Sequence, residues 1–259
     1  MHISRLDTSV SICNNKAMKW NVLNQWGKNV TRIKPLTGGV ANDVWSVSID
    51  GKLAVARLGK RSDADLAWET NLLQYLDKQG LLVPTPIPTI DGKLFVNGLV
   101  VMKYLEGERP ATKDDWLLVA QTLSRIHQLT KDWPQRPGWR SSIDLLHTDC
   151  STKIDLTTMP KEGVTRCRAA WAKLLGHQTC VIHGDANPTN ILINNNKVAL
   201  IDWDESHVDV PEIDLGKLPQ NAGDLEEGAY YVAQQACAAW EAAVCWDDEY
   251  SIKRLSEVK

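Results

Sequence analysis

The sequence lacks the features of a disulfide-bonded, zinc-binding or membrane-spanning protein. Its six cysteines form no Cys-x-x-Cys pair, so we predict reduced thiols rather than a disulfide framework or a zinc site. Neither a signal-peptide pattern nor an apolar run of the roughly 20 residues that cross a membrane is present. We therefore expect a cytoplasmic protein with no membrane partner.

Net positive charge is also lacking. The formal net charge of −3 excludes a strongly basic nucleic-acid binder. The charge is uneven, however, because residues 1–104 carry +5 and residues 105–259 carry −8. This asymmetry fits a polyanion bound by the first part and a cation by the second, although acidic surfaces also keep proteins soluble. The oligomeric state is left open.

The first hundred residues have a β-rich pattern. Apolar and polar residues alternate on both sides of Asp50-Gly51, and a second hairpin turns at Asn97-Gly98. Such dipeptides are the strongest local hairpin signals. The elements predicted here are a short helix ending at Gly27, strands 44–49 and 53–58, a helix 63–79 ended by Gly80, and strands 93–96 and 99–104.

The remainder of the chain is mainly helical in pattern. Helices are predicted at 114–129 and 166–175, strands and loops over 179–201, and helices from about residue 224. The sequence therefore predicts an α+β, bilobal protein. Its β-rich N-terminal lobe, residues 1–104, ends in a connector, and its mainly helical C-terminal lobe is residues 105–259.

One segment has the residues that phosphoryl transfer requires. Asp185 and Asn190 are five residues apart in a loop, and Asp202 follows an apolar strand. A carboxylate can orient an attacking hydroxyl, and carboxylate and amide oxygens are ligands for Mg²⁺. We expect Asp202 to be poorly solvated at its strand end unless it binds a cation.

These residues resemble the motifs of the aminoglycoside phosphotransferase and choline kinase superfamily, which is related to the protein kinases. The likeness lies in His183-Gly-Asp185-x4-Asn190, in the strand end at Asp202, and in Pro211-x2-Asp214. It implies a protein-kinase-like fold, Asp185 as catalytic base, and Asn190 and Asp202 as Mg²⁺ ligands. It also implies structural roles for His183 and Asp214. Gly184 in place of Arg, and no Ala-Pro-Glu segment after Asp202, argue against a protein kinase.

The resemblance assigns nucleotide binding to the N-terminal lobe. Gly38 and Gly39 would let backbone amides approach phosphates. Arg57, in Val55-Ala56-Arg57, takes the place of the phosphate-binding lysine of protein kinases and is expected to pair with Glu69. The connector resembles the family's hinge, so purine contacts are expected at the following residues: Met102, Lys103 and Leu105.

The phosphoryl donor is expected to be ATP or GTP with Mg²⁺, and the acceptor a cationic small molecule. The acidic C-terminal lobe favours an aminoglycoside-like acceptor; choline, ethanolamine, homoserine, a sugar and a macrolide stay open. Asp204 and Glu205 are predicted acceptor-binding residues, and Asp209 is a further candidate. Trp203 and Trp240 could stack on a cation or sugar. A catalytically inactive nucleotide-binding module is the alternative of a different class, but Asp185, Asn190 and Asp202 are all present.

Overall fold

The computed structural model describes residues 20–36, 42–220, 222, 225–244, 246 and 248–259. The chain divides into two compact units. The first unit contains the residues up to Lys78 and Pro84–Leu105, and the second contains Gln79–Val83 and Glu106–Lys259. Within the described ranges, no helix combines the length and apolar character needed to cross a bilayer.

The first unit contains an antiparallel sheet of five strands in the order β1-β2-β3-β5-β4. Its hairpins form where the turn dipeptides predict them. Asp50 and Gly51 have φ of 49° and 82°, and Asn97 and Gly98 have 51° and 83°, as tight β-hairpin turns require. The strands are β1 Val30–Pro35, β2 Asp43–Ile49, β3 Lys52–Leu58, β4 Phe95–Val96 and β5 Leu99–Lys103.

The two faces of this sheet are covered differently. A 3₁₀ helix, Asn21–Trp26, contributes Leu23 and Trp26 to an apolar cluster that includes Ala54 and Ala56 of β3. Helix α1, Asp63–Lys78, contributes Leu66 to a second cluster around Val100, Met102 and Val55. Because side chains alternate along a strand, Arg57 lies on the same face of β3 as Val55.

The second unit is mainly helical. Its core packs apolar residues of the long helices around Trp171 and Trp240, both of which are buried. Among the described residues of this unit, three two-stranded sheets accompany the helices. The helices are α2 Lys113–Leu129, α3 Lys161–Ala172, α4 Glu212–Leu215, α5 Glu227–Val244 and α6 Glu249–Glu257, and the strands are β6 Cys150–Ser151, β7 Ile154–Asp155, β8 Cys180–Ile182, β9 Ile191–Asn194, β10 Lys197–Leu200 and β11 His207–Asp209.

The predicted α+β class is therefore confirmed, but the start of helix α3 differs from its predicted position by five residues. Helix α3 begins at Lys161, whereas the pattern placed its start near residue 166. Gly163 lowers the local helix propensity. In the structure, a Cβ at position 163 would lie 2.9 Å from a methyl carbon of Leu255 in α6. A side chain of α6 thus lies close to the first turn of α3, a tertiary neighbour that the local sequence does not report.

Candidate active site

The loop after β8 is held by the carboxylate of Asp214. The backbone N–H groups of His183 and Gly184 each donate to Asp214, at 2.9 Å to Oδ2 and 2.9 Å to Oδ1 respectively. His127 of α2 contacts Asp214 Oδ2 at 2.9 Å through Nε2. Burial raises the pKa of Asp214, but the hydrogen bond and charge of His127 and the backbone hydrogen bond from His183 outweigh it, so the net pKa lies below the ordinary value.

His183 is fully buried and links this loop to the strand end that precedes Asp202. Its Nε2 lies 3.0 Å from the carbonyl oxygen of Ile201, and its Nδ1 accepts from the backbone N–H of Asp185 at 3.3 Å. Burial lowers the pKa of His183, in agreement with a neutral ring that donates through Nε2. The side chain thus supports backbone groups on both sides, consistent with the structural role implied for it.

Asp185 receives hydrogen bonds on both carboxylate oxygens. Oδ1 accepts from Lys217 Nζ at 2.9 Å and from Asn187 Nδ2 at 3.0 Å, and Oδ2 accepts from Asn190 Nδ2 at 2.8 Å. Burial raises the pKa of Asp185, but the charge and hydrogen bond of Lys217 and the hydrogen bond of Asn187 lower it by more, so the net pKa lies below the ordinary value. The side chain is 34% exposed, which leaves the ionised carboxylate open to a ligand.

The amide of Asn190 is oriented by the same carboxylate. Its Nδ2 donates to the backbone carbonyl of Asp185 at 3.0 Å as well as to Oδ2. Both amide hydrogens of Asn190 are therefore donated to Asp185, and Asn190 Oδ1 points away from the Asp185 carboxylate. The 3₁₀ turn Pro188–Asn190, capped by Asn187, fixes the backbone here. Asn190 can thus offer an amide oxygen to a metal while its nitrogen holds Asp185.

Asp202 is brought to this loop by the backbone. The N–H of Ile201 donates to the carbonyl of Asn190 at 2.9 Å. Asp202 has φ 61° and ψ 70°, the left-handed region that Asp and Asn tolerate better than most residues and that recurs at functional sites. The expectation of poor solvation is wrong, because the backbone turns out of the strand and leaves Asp202 exposed.

The donor set fits a magnesium–nucleotide complex better than an all-protein metal centre. Among the residues that the structure describes, no three His, Cys, Asp or Glu side chains form a metal cluster. One carboxylate, from Asp202, and one amide oxygen, from Asn190, provide hard oxygen ligands. Mg²⁺ commonly takes one or two protein ligands and completes its octahedron with water and phosphate oxygens.

In the first unit, Arg57 pairs with Glu69 as the sequence predicts. Arg57 Nη2 lies 2.5 Å from Glu69 Oε1, and the two side chains are 7% and 1% exposed. Arg61, which sequence reasoning missed, also forms an ion pair with Glu69. The pair joins β3 to α1 and holds a guanidinium in place; its nucleotide-binding role stays a prediction.

The predicted hinge residues differ in what they can offer a purine. Met102 is buried against Leu66 and Val100, which agrees with a core residue rather than an exposed pocket wall. The backbone N–H of Lys103 already donates to the carbonyl of Thr85 at 2.9 Å, and its ammonium pairs with Asp77. Leu105 lies beyond β5 and stays a predicted contact. The nucleotide-loop residues Gly38 and Gly39 lie outside the described residues.

Several of the predicted acceptor-binding residues are buried or contact other side chains of the protein. Trp203 and Trp240 are 0% and 2% exposed. The prediction that either ring stacks on an acceptor is therefore wrong. Each packs instead against a histidine ring. Asp209 is buried and accepts from the N–H and hydroxyl of Ser142 at 2.7 Å. Glu205 forms an ion pair with Lys153, and Asp204 is half-buried with its acceptor role untested.

Two positively charged residues of the second unit contact the site but were not predicted from the sequence to do so. Lys217 contacts Asp185 from 32 positions away. Arg136 is 1% exposed, and its Nη1 donates to the carbonyls of Asp204 and Ser206 at 3.0 and 2.7 Å. It thereby holds the turn that follows Asp202. Neither lies in a motif; the only available signal for Lys217 was its place three residues after Asp214.

Comparison with solved structures shows that this fold occurs in several kinases. The choline kinase LicA from Streptococcus pneumoniae is 16% identical, with a TM-score of 0.65 over 95% of this chain and 97% of that one. A microcompartment-associated aminopropanol kinase is 15% identical, with a TM-score of 0.65 over 94% of each chain. The amicoumacin kinase hAmiN, solved with AMP-PNP, Ca²⁺ and Ami, is 14% identical, with a TM-score of 0.62 over 98% of this chain and 87% of that one. At these identities, the likeness shows a shared fold.

Sequence comparisons give the family. An uncharacterized protein of Deinococcus radiodurans is 29% identical over an alignment of 173 residues that covers 59% of this chain. The match spans only 50% of that relative's length. The model of the phosphotransferase enzyme family matches residues 32–245, a range that contains the whole segment from His183 to Asp214. The chain therefore belongs to the phosphotransferase enzyme family.

Proposed function

We propose that this protein transfers the γ-phosphoryl group of ATP or GTP to a hydroxyl of a small molecule, with Asp185 as catalytic base. The observation that carries this proposal is the shared hydrogen bonding of Asp185 and Asn190. Asp185 presents an ionised carboxylate to solvent, and Asn190 directs its amide oxygen away from that carboxylate. Phosphoryl transfer needs these two groups side by side, one for the attacking hydroxyl and one for the metal.

Asp185 would act mainly by orientation. Because its pKa lies below the ordinary value, it is a weak base in the ground state. It would hold the acceptor hydroxyl in line with the phosphorus and take the proton late, after the bond to the leaving oxygen has largely broken. The hydrogen bonds from Lys217 and Asn190 fix the carboxylate for this task.

The remaining roles concern the donor phosphates. Asn190 and Asp202 would hold Mg²⁺, which when bound offsets negative charge on the phosphates. Arg57, fixed by Glu69, would bind phosphate oxygens through its planar guanidinium. The complexes of hAmiN with AMP-PNP and Ca²⁺ support a nucleotide donor and a divalent cation.

A cationic acceptor, aminoglycoside-like or an amino alcohol, is the substrate class we favour. The second unit lies in the acidic part of the chain, and Glu226, Glu227 and Glu249 are exposed there. Solved structures similar to this one include kinases named for aminopropanol and choline. A positively charged nitrogen is attracted by such a surface. Homoserine, sugars and macrolides are the other candidates.

The experiment is a nucleoside diphosphate release assay with ATP and with GTP. The panel comprises aminoglycosides, choline, ethanolamine, aminopropanol, homoserine, sugars and macrolides. We expect release above background with one acceptor class, and none with the Asp185→Ala variant. Mg²⁺–nucleotide binding without turnover of any acceptor would contradict the proposal and favour the inactive binding module.

A further inference from the structure

A buried lysine connects the Asp185 carboxylate to the C-terminal helices. Lys217 Nζ lies 2.9 Å from Asp185 Oδ1 and 2.9 Å from Glu241 Oε1 of α5. Glu241 also accepts from Arg254 Nε of α6 at 2.5 Å. The charges alternate along this row, and the Lys217 side chain is only 8% exposed. The four side chains bring together the loop after β8, the turn after α4, and the helices α5 and α6.

The ammonium determines which oxygen of Asp185 is available. Oδ1 accepts from both Lys217 and Asn187, so its two lone pairs are used. Oδ2 accepts from Asn190 alone among the described residues. One lone pair on Oδ2 therefore remains for a hydroxyl proton. Without Lys217, the carboxylate could rotate about its Cβ–Cγ bond and lose this distinction between the two oxygens.

A simple structural ion pair would not require this arrangement. Glu241 retains Arg254 as a partner when Lys217 is absent, and Asp185 is exposed enough to stay hydrated. Neither carboxylate would be left as an unpaired buried charge, which is the usual cause of large stability losses. The feature that only Lys217 provides is a charged, directional donor to Oδ1.

We infer that Lys217 is a positioning residue for the phosphoryl transfer, holding Asp185 so that Oδ2 faces the acceptor hydroxyl. Glu241 and Arg254 fix Lys217 in turn, so that α5 and α6 support the catalytic loop. This inference rests on the proposed function. The inference adds to the proposed function a residue that lies outside the His183–Asn190 loop and outside the strand end at Asp202.

The test compares Lys217→Met, which keeps the volume and removes the charge, with Lys217→Arg. Lys253→Met is the matched control, because Lys253 is an exposed lysine of α6. A lost charge-assisted hydrogen bond predicts a fall in kcat of about 10- to 100-fold for Lys217→Met. The nucleotide Kd should stay within about threefold, because the Asp185 carboxylate that Lys217 contacts is proposed to orient the acceptor and not to bind the nucleotide. Lys217→Arg should recover part of kcat, and Lys253→Met should match the wild type.

Three results would overturn the inference. They are an unaltered kcat in Lys217→Met, a parallel loss of nucleotide affinity, or no more turnover in Lys217→Arg than in Lys217→Met. If Lys217→Met does not fold, Lys217→Gln takes its place, and the same comparison of kcat with nucleotide Kd decides.

Failure of the proposed function is separable from failure of this inference. If the wild type phosphorylates no acceptor, the crystal structure of Lys217→Met still tests the positioning role. We expect the Asp185 carboxylate to be rotated or in several conformers, with the backbone of the loop unchanged. An Asp185 carboxylate in the wild-type orientation would overturn the inference.

Discussion

Gly184 lies directly against the backbone carbonyl of Glu205. A Cβ at position 184 would stand 2.4 Å from that oxygen, and Gly184 has φ 80°. The loop that carries Asp185 and the turn that follows Asp202 are thus in van der Waals contact at a point where only glycine fits. Because Arg136 binds the carbonyls of the same turn, contacts on both sides hold the turn after Asp202 against the loop of Asp185.

Gly184→Ala is expected to destabilise the protein and to impair turnover. The left-handed backbone costs alanine about 1 kcal/mol, and the overlap with Glu205 adds about 1–3 kcal/mol. Gly176→Ala is the matched control, since Gly176 has φ 85° and no atom within 4 Å of the added Cβ. Thermal unfolding measures the difference between the two variants. Equal losses at both positions would show that the contact with Glu205 is not restrictive.

Arg57→Ala is expected to raise the nucleotide KM by about tenfold or more, because the guanidinium that we propose to bind phosphate is lost. The stability loss should stay below the roughly 3–5 kcal/mol of a broken buried pair, since Arg61 still pairs with Glu69. Initial rates over a range of nucleotide concentrations measure KM, with Lys52→Ala, an exposed residue of the same strand, as control. An unchanged KM would remove Arg57 from the nucleotide site.

Asp202→Asn is expected to weaken Mg²⁺ binding without disturbing the fold. Asparagine also tolerates the left-handed conformation of position 202, so the melting temperature should change little. One charged ligand is lost, so half-maximal turnover should need a higher Mg²⁺ concentration. Asp50→Asn, at another left-handed aspartate, controls for the backbone. A Mg²⁺ titration that superimposes on the wild type would exclude Asp202 as a ligand.

The Asp214 carboxylate makes the stability of the second unit depend on pH. Its pKa is lowered in the folded state, so its contribution is fully present above the unfolded-state pKa of about 3.9 and is lost as pH falls through the folded-state value. Asp214→Asn should cost about 3 kcal/mol at neutral pH. The difference in unfolding free energy between variant and wild type should shrink below about pH 4, as measured by denaturant titration across pH. A difference independent of pH would contradict this.

The sequence predicted those parts of the protein that depend on neighbouring residues. The hairpin turns at Asp50-Gly51 and Asn97-Gly98 need only a positive φ at two positions, which the dipeptides themselves favour. The loop around Asp185 is likewise continuous in sequence, and the family motif spans it. Helix α1 begins at Asp63, its predicted start, and ends at Lys78, one residue before its predicted end.

The features that depend on distant residues were missed. The contact of Lys217 with Asp185 spans 32 positions, and α5 and α6 must fold against the loop before Glu241 can hold that lysine. The burial of Trp203 could not be predicted from its position next to Asp202. The chain turns there, and the indole ring packs against the His183 ring. The Lys217–Asp185 contact and the burial of Trp203 both depend on packing between residues that are distant in sequence.

The most direct test of the account is Asp185→Ala, with phosphoryl transfer to the acceptor and nucleotide binding measured on the same preparation. The account predicts a loss of kcat of about 10²- to 10⁴-fold, as for a general base, with a nearly unchanged nucleotide Kd. Asp149→Ala, at an exposed aspartate paired only at the surface, should retain wild-type turnover. Turnover by Asp185→Ala close to the wild-type rate would contradict the assignment of Asp185 as the base.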